Sequence, residues 1–382
     1  MDTQPLLDLS PALHVMLMGV AVAIGPLAWL WTRTLRGDAA RRLQALTVLT
    51  LFLTFDLVLF GAFTRLTDSG LGCPDWPGCY GSASPIGASE RISEAQARMP
   101  TGPVTHTKAW IEMLHRYLAT GVGVLIITLF VATWRERKRG TVVSPWWPAA
   151  TLVWVCVQGA FGAFTVTLKL MPAVVTLHLL GGLVLVALLV RQAVAYEHAR
   201  KGLGPMQVAP GLRYALFATL ALVWVQVALG GWVSTNYAVL ACTDFPTCQG
   251  SWWPPMAFGQ GFELWRPLGM TSGGEHIAFA ALTAIHYTHR LAAYLVFAAL
   301  LALAWQFHRA GVLRPQARWI TSLALLQFAT GLSNVVLGWP IAAALAHTGG
   351  AAALVVVLTW ALCESRVTAG ARRRAALQER SA

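Results

Sequence analysis

Nine predominantly apolar stretches of roughly twenty residues or more alternate with polar segments along the chain. They lie near 12–32, 45–65, 107–133, 147–168, 173–194, 213–234, 277–306, 318–338 and 341–363. Each is long enough to cross a hydrocarbon core of ~30 Å at 1.5 Å per residue. Inside a bilayer the backbone must satisfy its own hydrogen bonds, so the pattern predicts nine transmembrane helices. The first stretch is read as an uncleaved helix with the N-terminus outside. Asp2 and Asp8 precede it, Arg33 and Arg36 follow it, and no basic region opens it.

Composition agrees. Of 382 residues 56% are hydrophobic and 12% charged, against about 25% charged in soluble domains. The fold class is an all-α integral membrane protein. A formal charge of +12 could suggest nucleic acid, but its distribution speaks against that partner. One alternate set of loops carries Arg33, Arg36, Arg41 and Arg42, then Arg135, Arg137, Lys138 and Arg139, then Arg191, Arg200, Lys201 and Arg213. It continues with Arg309, Arg314 and Arg318 and ends in a tail with Arg366, Arg372, Arg373, Arg374 and Arg380. Basic residues gather on the cytoplasmic side, so the two longest loops, 66–106 and 235–276, are expected to face outward and the C-terminus inward. Trp134, Trp146, Trp147, Trp232, Trp305, Trp319 and Trp339 fall at segment ends, as an interfacial belt would.

An internal repeat sets the expected architecture. At an offset of 169 residues Gly61 meets Gly230, Cys73 meets Cys242, Asp75 meets Asp244, and Pro77 meets Pro246. Cys79 meets Cys248, Gly81 meets Gly250, Gln158 meets Gln327, Gly162 meets Gly331 and His178 meets His347. His115 finds His289 at an offset of 174, so the second long loop is about five residues longer. Two tandem four-helix bundles related by a pseudo-two-fold axis follow, with one added N-terminal helix. The expected divisions are 1–44 for the added helix and its loop, 45–200 and 201–365 for the two halves, and 366–382 for a basic cytoplasmic tail.

Four histidines obey the repeat: His115, His178, His289 and His347. Within each half the pair lies at similar depth on the second and fourth helices. His115 is ~12 Å past its helix start and His178 ~8 Å. Ionisable groups at membrane depth are costly and mark function, and facing histidines across a bundle can hold a heme iron on both axial sides. A lone histidine is more often a satisfied core residue; a duplicated matched pair is not readily explained that way. Zinc requires further ligands, and no Met or Cys accompanies each histidine at equivalent positions, as copper would want. Arg116 and Arg290 directly follow two of the histidines. They either contact heme propionates or snorkel to headgroups.

Glu112 lies three residues before His115 and shares its helix face, whereas His286 stands at the matching place in the second half. This unshared carboxylate suggests proton handling at the first site; a salt bridge to Lys108 is the structural alternative. Cys73 and Cys79 bracket P-D-W-P-G, and Cys242 and Cys248 bracket T-D-F-P-T. An oxidising exterior favours the disulfides Cys73–Cys79 and Cys242–Cys248, with cross-pairing between the loops left open by spacing alone. Cys156 and Cys363 read as packing residues in helices. The Gln-x-x-x-Gly elements at Gln158, Gln226 and Gln327 read as close helix packing with amides bonding across the bundle. Asp56 sits alone in the second segment, either in a proton path or bonded to one of these amides.

With these residues the chain resembles the heme A synthase family over about residues 45–363. The elements are G-A-F-T-R-L-T-D-S-G-L before the first cysteine loop, E-M-L-H-R at Glu112 to Arg116, and V-T-L-H-L-L-G-G around His178. T-H-R and A-H-T-G-G around His289 and His347 complete the set. The resemblance implies oxidation of a methyl group of heme O to the formyl group of heme A for cytochrome oxidase assembly. It implies that His115 and His178 hold the substrate heme with Glu112 catalytic, and that His289 and His347 ligate a heme b cofactor. Expected partners are heme O, the farnesyltransferase that produces it, an electron acceptor such as quinone, the lipid bilayer and a second copy of the chain. The expected location is a bacterial inner membrane, with the heme sites toward the outer face. The family commonly has eight spans, so the helix at 12–32 is a departure. The alternative is a diheme b-type, quinol-linked electron-transfer protein; a transporter built from repeated halves is a third reading.

Overall fold

A computed structural model describes residues 10–34, 38–137 and 143–367. Asp2, Asp8, Arg36, Lys138, Arg139 and the basic tail beyond Val367 lie outside the described residues. Among the described residues nine helices are long and apolar enough to cross a membrane. They are α1 (Ser10–Thr34), α2 (Ala39–Leu66), α4 (His106–Glu136), α5 (Trp146–Thr167), α6 (Pro172–Lys201), α7 (Pro210–Thr235), α9 (Phe279–Arg309), α10 (Arg314–Val336) and α11 (Ile341–Cys363). Two more, α3 (Ser89–Arg98) and α8 (Phe258–Gly261), lie in the long loops. Among the described residues a single sheet pairs β1 (Met206–Val208) with β2 (Ser365–Val367) in parallel.

Local chemistry explains the ends. Asp38 caps α2 by accepting from the Arg41 N–H at 2.7 Å, and Thr105 caps α4 by accepting from the Lys108 N–H at 3.2 Å. Pro210 opens α7 and Pro315 lies in the first turn of α10, where a missing N–H costs nothing. Several helices overrun the expected segments, α2 starting at Ala39 and α6 reaching Lys201, whereas α11 keeps the expected bounds and α10 stops at Val336, short of them. Charged residues end a hydropathy stretch, but they do not end a ladder of backbone hydrogen bonds. Along α2 the hydroxyls of Thr47, Thr50 and Thr54 each donate to the carbonyl four residues back, so buried polar groups stay satisfied without water.

The chain divides into two compact units, Met1–Leu185 with Leu264–Ser272, and Val186–Glu263 with Gly273–Ala382. In the first, α4 touches α1, α2 and α5. The α1–α4 crossing is close: a β-carbon at Gly19 would collide with Thr120, and one at Gly121 with Val22. In the second unit α7, α9, α10 and α11 contact one another in a ring. His198 Nε2 meets Glu364 Oε2 at 2.9 Å in this unit, and Arg213 bonds Ser365, which secures the β1–β2 pairing.

Two expectations need correction. Trp232 does not join an interfacial belt: it is buried and donates to the Gly261 carbonyl at 2.8 Å, because the indole N–H finds a loop partner inside the unit. Trp146, Trp305 and Trp319 are exposed at helix ends as expected. Cys156 is exposed on α5 and so does not pack in a core; Cys363 is half-buried at the end of α11.

Candidate functional site

Each unit contains one histidine pair at one end of its helices. His115 on α4 and His178 on α6 lie within electrostatic range of each other, as do His289 on α9 and His347 on α11. All four rings are half-buried. Every one faces a glycine on a neighbouring helix. A β-carbon at Gly61 would stand 3.1 Å from Cε1 of His115, at Gly162 3.6 Å from His178, at Gly230 2.9 Å from His289, and at Gly331 3.2 Å from His347. The ring occupies the space a side chain would fill, which fixes its position by contact with backbone.

The amides assigned to packing stand beside the same rings. Gln226 Nε2 donates to the His289 carbonyl at 3.1 Å and also lies 3.1 Å from its Nδ1. Gln327 donates to the His347 carbonyl at 2.9 Å. Gln158 abuts Gly181, one turn beyond His178, and its Oε1 is buried without a partner. Among the described residues no Nε2 of the four histidines makes a hydrogen bond, while the buried Nδ1 atoms of His115 and His178 have no partner at all. No three His, Cys, Asp or Glu side chains converge among the described residues, as a zinc centre would require. Paired imidazoles with free nitrogens on glycine cradles fit axial ligation of heme iron.

The loops beside these pairs are built alike. Cys73 is bonded to Cys79 and Cys242 to Cys248, which excludes cross-pairing. Cys79 exchanges backbone hydrogen bonds with Ser82, and Cys248 with Ser251. The Asp75 carboxylate accepts from the N–H groups of Tyr80 and Gly81 at 2.5 and 2.6 Å. That of Asp244 accepts from Gln249 and Gly250 at 2.7 and 3.0 Å. Gly81 and Gly250 have φ of 73° and 70°, the left-handed turn that favours glycine.

The arginines expected at propionates or headgroups are engaged here. Arg116 Nη1 donates to the carbonyls of Asp75 (2.9 Å), Pro77 (3.2 Å) and Gly78. Arg290 Nη1 donates to Asp244 (3.0 Å) and Thr247 (2.7 Å), and its Nη2 to Cys242 (3.4 Å). Two of the three carbonyls in each loop, Asp75 and Gly78 against Asp244 and Thr247, stand at matching repeat positions, so each arginine clasps its loop to the helix turn that bears the ligand candidate. Tyr117 adds a tie to the Ala83 carbonyl at 2.6 Å. In the second loop Tyr287, from a different turn of its helix, ties the equivalent Trp252 carbonyl.

Glu112 departs from this symmetry. Its Oε2 accepts from the Cys73 N–H at 2.8 Å and its Oε1 pairs with Arg116, both residues being buried. The alternative bridge to Lys108 is absent, since Lys108 Nζ donates to the Gly102 carbonyl at 3.1 Å. In the second unit His286 Nδ1 lies 3.0 Å from the Ala238 carbonyl, so the imidazole donates to a loop where Glu112 accepts. Asp56 is exposed on α2 with no hydrogen-bond partner among the described residues.

Outside the helices, one carboxylate has a pH consequence. Hydrogen bonds from Thr247, Gly250 and Gln249 hold Asp244 down to about 2 from an ordinary 3.8. A depressed carboxylate supports the fold fully above its free value and loses that support as pH falls through the folded one. Protection of the Gln249 and Gly250 amides, taken as their exchange relative to the unprotected rate at each pH, should therefore hold at pH 5 and fall between about pH 4 and 2. In Asp244→Asn that protection should be low and should not change with pH in that window.

Known proteins resemble this chain over most of its length. The family described as cytochrome oxidase assembly protein (COX15-CtaA) matches residues 44–359. A protein of Shewanella oneidensis named heme A synthase is 36% identical over 81% of this chain and 92% of its own length. A heme A synthase of Chelativorans sp. is 30% identical over 87% of the chain and 94% of its own, and one of Halalkalibacterium halodurans 27% over 80% and 90%. Both histidine pairs, both cysteine loops and Glu112 fall inside the matched range, and α1 falls outside it. The chain belongs to the cytochrome oxidase assembly protein (COX15-CtaA) family.

Proposed function

We propose that this protein is a heme A synthase, a membrane oxidoreductase that converts the methyl group of heme O to the formyl group of heme A. The observation that carries the reading is the combination of two cradled histidine pairs with a buried carboxylate at only one of them. The reaction takes a methyl group and one water to an aldehyde, four protons and four electrons. His115 and His178 hold the substrate heme, and Gly61 and Gly162 leave room for their rings. Glu112, three residues from His115, serves as the proton acceptor, held in place by the Cys73 N–H and Arg116. Its oxygens each retain a lone pair beyond these contacts. His289 and His347 hold heme b, which when bound supplies a one-electron redox couple toward an acceptor such as a quinone. Arg116 and Arg290 reach propionates only in addition to their loop contacts.

The halves 45–200 and 201–365 are thus a substrate half and a cofactor half. The excess of Lys and Arg on one set of loops supports placing the disulfide loops outside and the C-terminus in the cytoplasm. Heme O comes from the farnesyltransferase that makes it.

Extraction of bound pigment tests the reading. Wild-type protein should carry heme b together with heme O or heme A, and His289→Ala should lose heme b selectively. Heme b alone in the wild type would identify an electron-transfer protein instead; absence of a Soret band would point to neither.

A further inference from the structure

His347 differs from the other three ligand candidates in the partner of its second nitrogen. The Thr330 hydroxyl, on α10, lies 3.0 Å from His347 Nδ1. Its single hydrogen is committed to the backbone: Thr330 donates to the Leu326 carbonyl at 2.7 Å, with Gln327 at 3.4 Å as a weaker second acceptor. A hydroxyl has one hydrogen and two lone pairs, so toward His347 it can only accept. The ring proton therefore sits on Nδ1, and Nε2 presents its lone pair. The other three rings have no such acceptor: the Nδ1 atoms of His115 and His178 lack a partner, and that of His289 faces the Gln226 amide nitrogen. At the repeat position of Thr330 the first half has Phe161, which can neither accept nor donate.

We infer that Thr330 is a positioning residue that fixes the tautomer and ring plane of His347, making the second-unit heme site a permanent one. Phe161 in its place leaves His178 a weaker ligand, suited to a heme that must arrive as substrate and leave as product. The inference rests on the assignment of heme b to His289 and His347. The physical basis is general: a hydrogen bond from a ligand imidazole to an outer acceptor strengthens the ligand, and losing it costs 10–100-fold in affinity.

The test compares purified wild type, Thr330→Val, Thr330→Ser and, should the valine variant fail to accumulate, Thr330→Ala. The readouts are transfer of heme b to apomyoglobin, the heme b midpoint potential and the low-spin ferric EPR spectrum. Valine keeps the shape and removes the acceptor, so heme b should be lost at least about tenfold faster. Its potential should rise, because a less electron-rich imidazole favours the ferric state less, and its largest g value should shift. Serine should restore wild-type behaviour. Unchanged dissociation and potential in the valine or alanine variant would overturn the inference, as would a serine variant as impaired as valine, since packing alone would then explain the position. Absence of heme b from the wild type is a different result and would overturn the ligand assignment itself.

Discussion

A Gly230→Ala variant is expected to insert in the membrane, keep its first-unit heme and lose most of its second. The added β-carbon would stand 2.9 Å from Cε1 of His289, closer than such atoms approach. Overpacking of this kind costs about 1–3 kcal/mol, and replacing a helical glycine by alanine returns about 1 kcal/mol. The fold survives that balance. A ligand ring displaced by more than about 0.5 Å does not keep its place against iron, since sites of this kind tolerate no more than that. The four glycines form an internal scale. At 3.1 and 3.2 Å, Gly61→Ala and Gly331→Ala should weaken their sites less than Gly230→Ala does, and at 3.6 Å Gly162→Ala should be nearly silent. Pyridine hemochromogen spectra of the four purified variants measure this directly. A full second-unit heme complement in Gly230→Ala, or an order unrelated to these distances, would show that the rings are free to move.

The second large effect is expected at Glu112, where two roles must be separated. Removing the carboxylate in Glu112→Ala leaves the Cys73 N–H without its acceptor and Arg116 without its buried counter-ion. Breaking a buried pair costs about 3–5 kcal/mol. Arg116 keeps three carbonyls, so the lower end of that range is expected, together with loss of heme A formation. Glu112→Gln keeps an acceptor for Cys73 and most of the volume, but it cannot take up a proton. If the carboxylate acts in catalysis, the glutamine variant should bind heme O normally and yield no heme A. If it serves only the loop, glutamine should convert heme O nearly as well as wild type. Pigment analysis of membranes separates the outcomes, with melting of the purified variants as the control for folding.

The nine spanning helices among the described residues are legible because a bilayer demands long apolar runs, and their ends are less so because interfacial residues extend a helix without adding hydropathy. The short amphipathic α3, with Ile92 as its buried residue, left no such trace. The histidine pairs were legible only through the repeat. Opposite them, the glycines stood in the same alignment but read as generic small residues, since nothing in a spacing says what lies across a helix interface. Arg116 was the harder case. Its place beside His115 suggested an anionic ligand, whereas besides Glu112 its partners are carbonyls of a loop about forty residues away, and only the folded turn brings them together. Thr330 carried no signal until His347 was placed beside it. Tyr287 shows the limit of an alignment: it ties the carbonyl equivalent to that held by Tyr117, from a different turn.

The arginine clasp has a bearing on ancestry. Arg116 and Arg290 hold equivalent carbonyls in the two loops, and each aspartate organises its turn through equivalent amides. A device repeated at this level of detail is more simply inherited by both copies than acquired twice, so a single-copy forebear would already have had a histidine-bearing helix buttoned to a disulfide loop. Glu112 and His286, Thr330 and Phe161 are where the copies parted. Divergence altered the groups around the paired histidines and left the rings and the buttoning alone, as expected of two copies that first shared one task and later divided it.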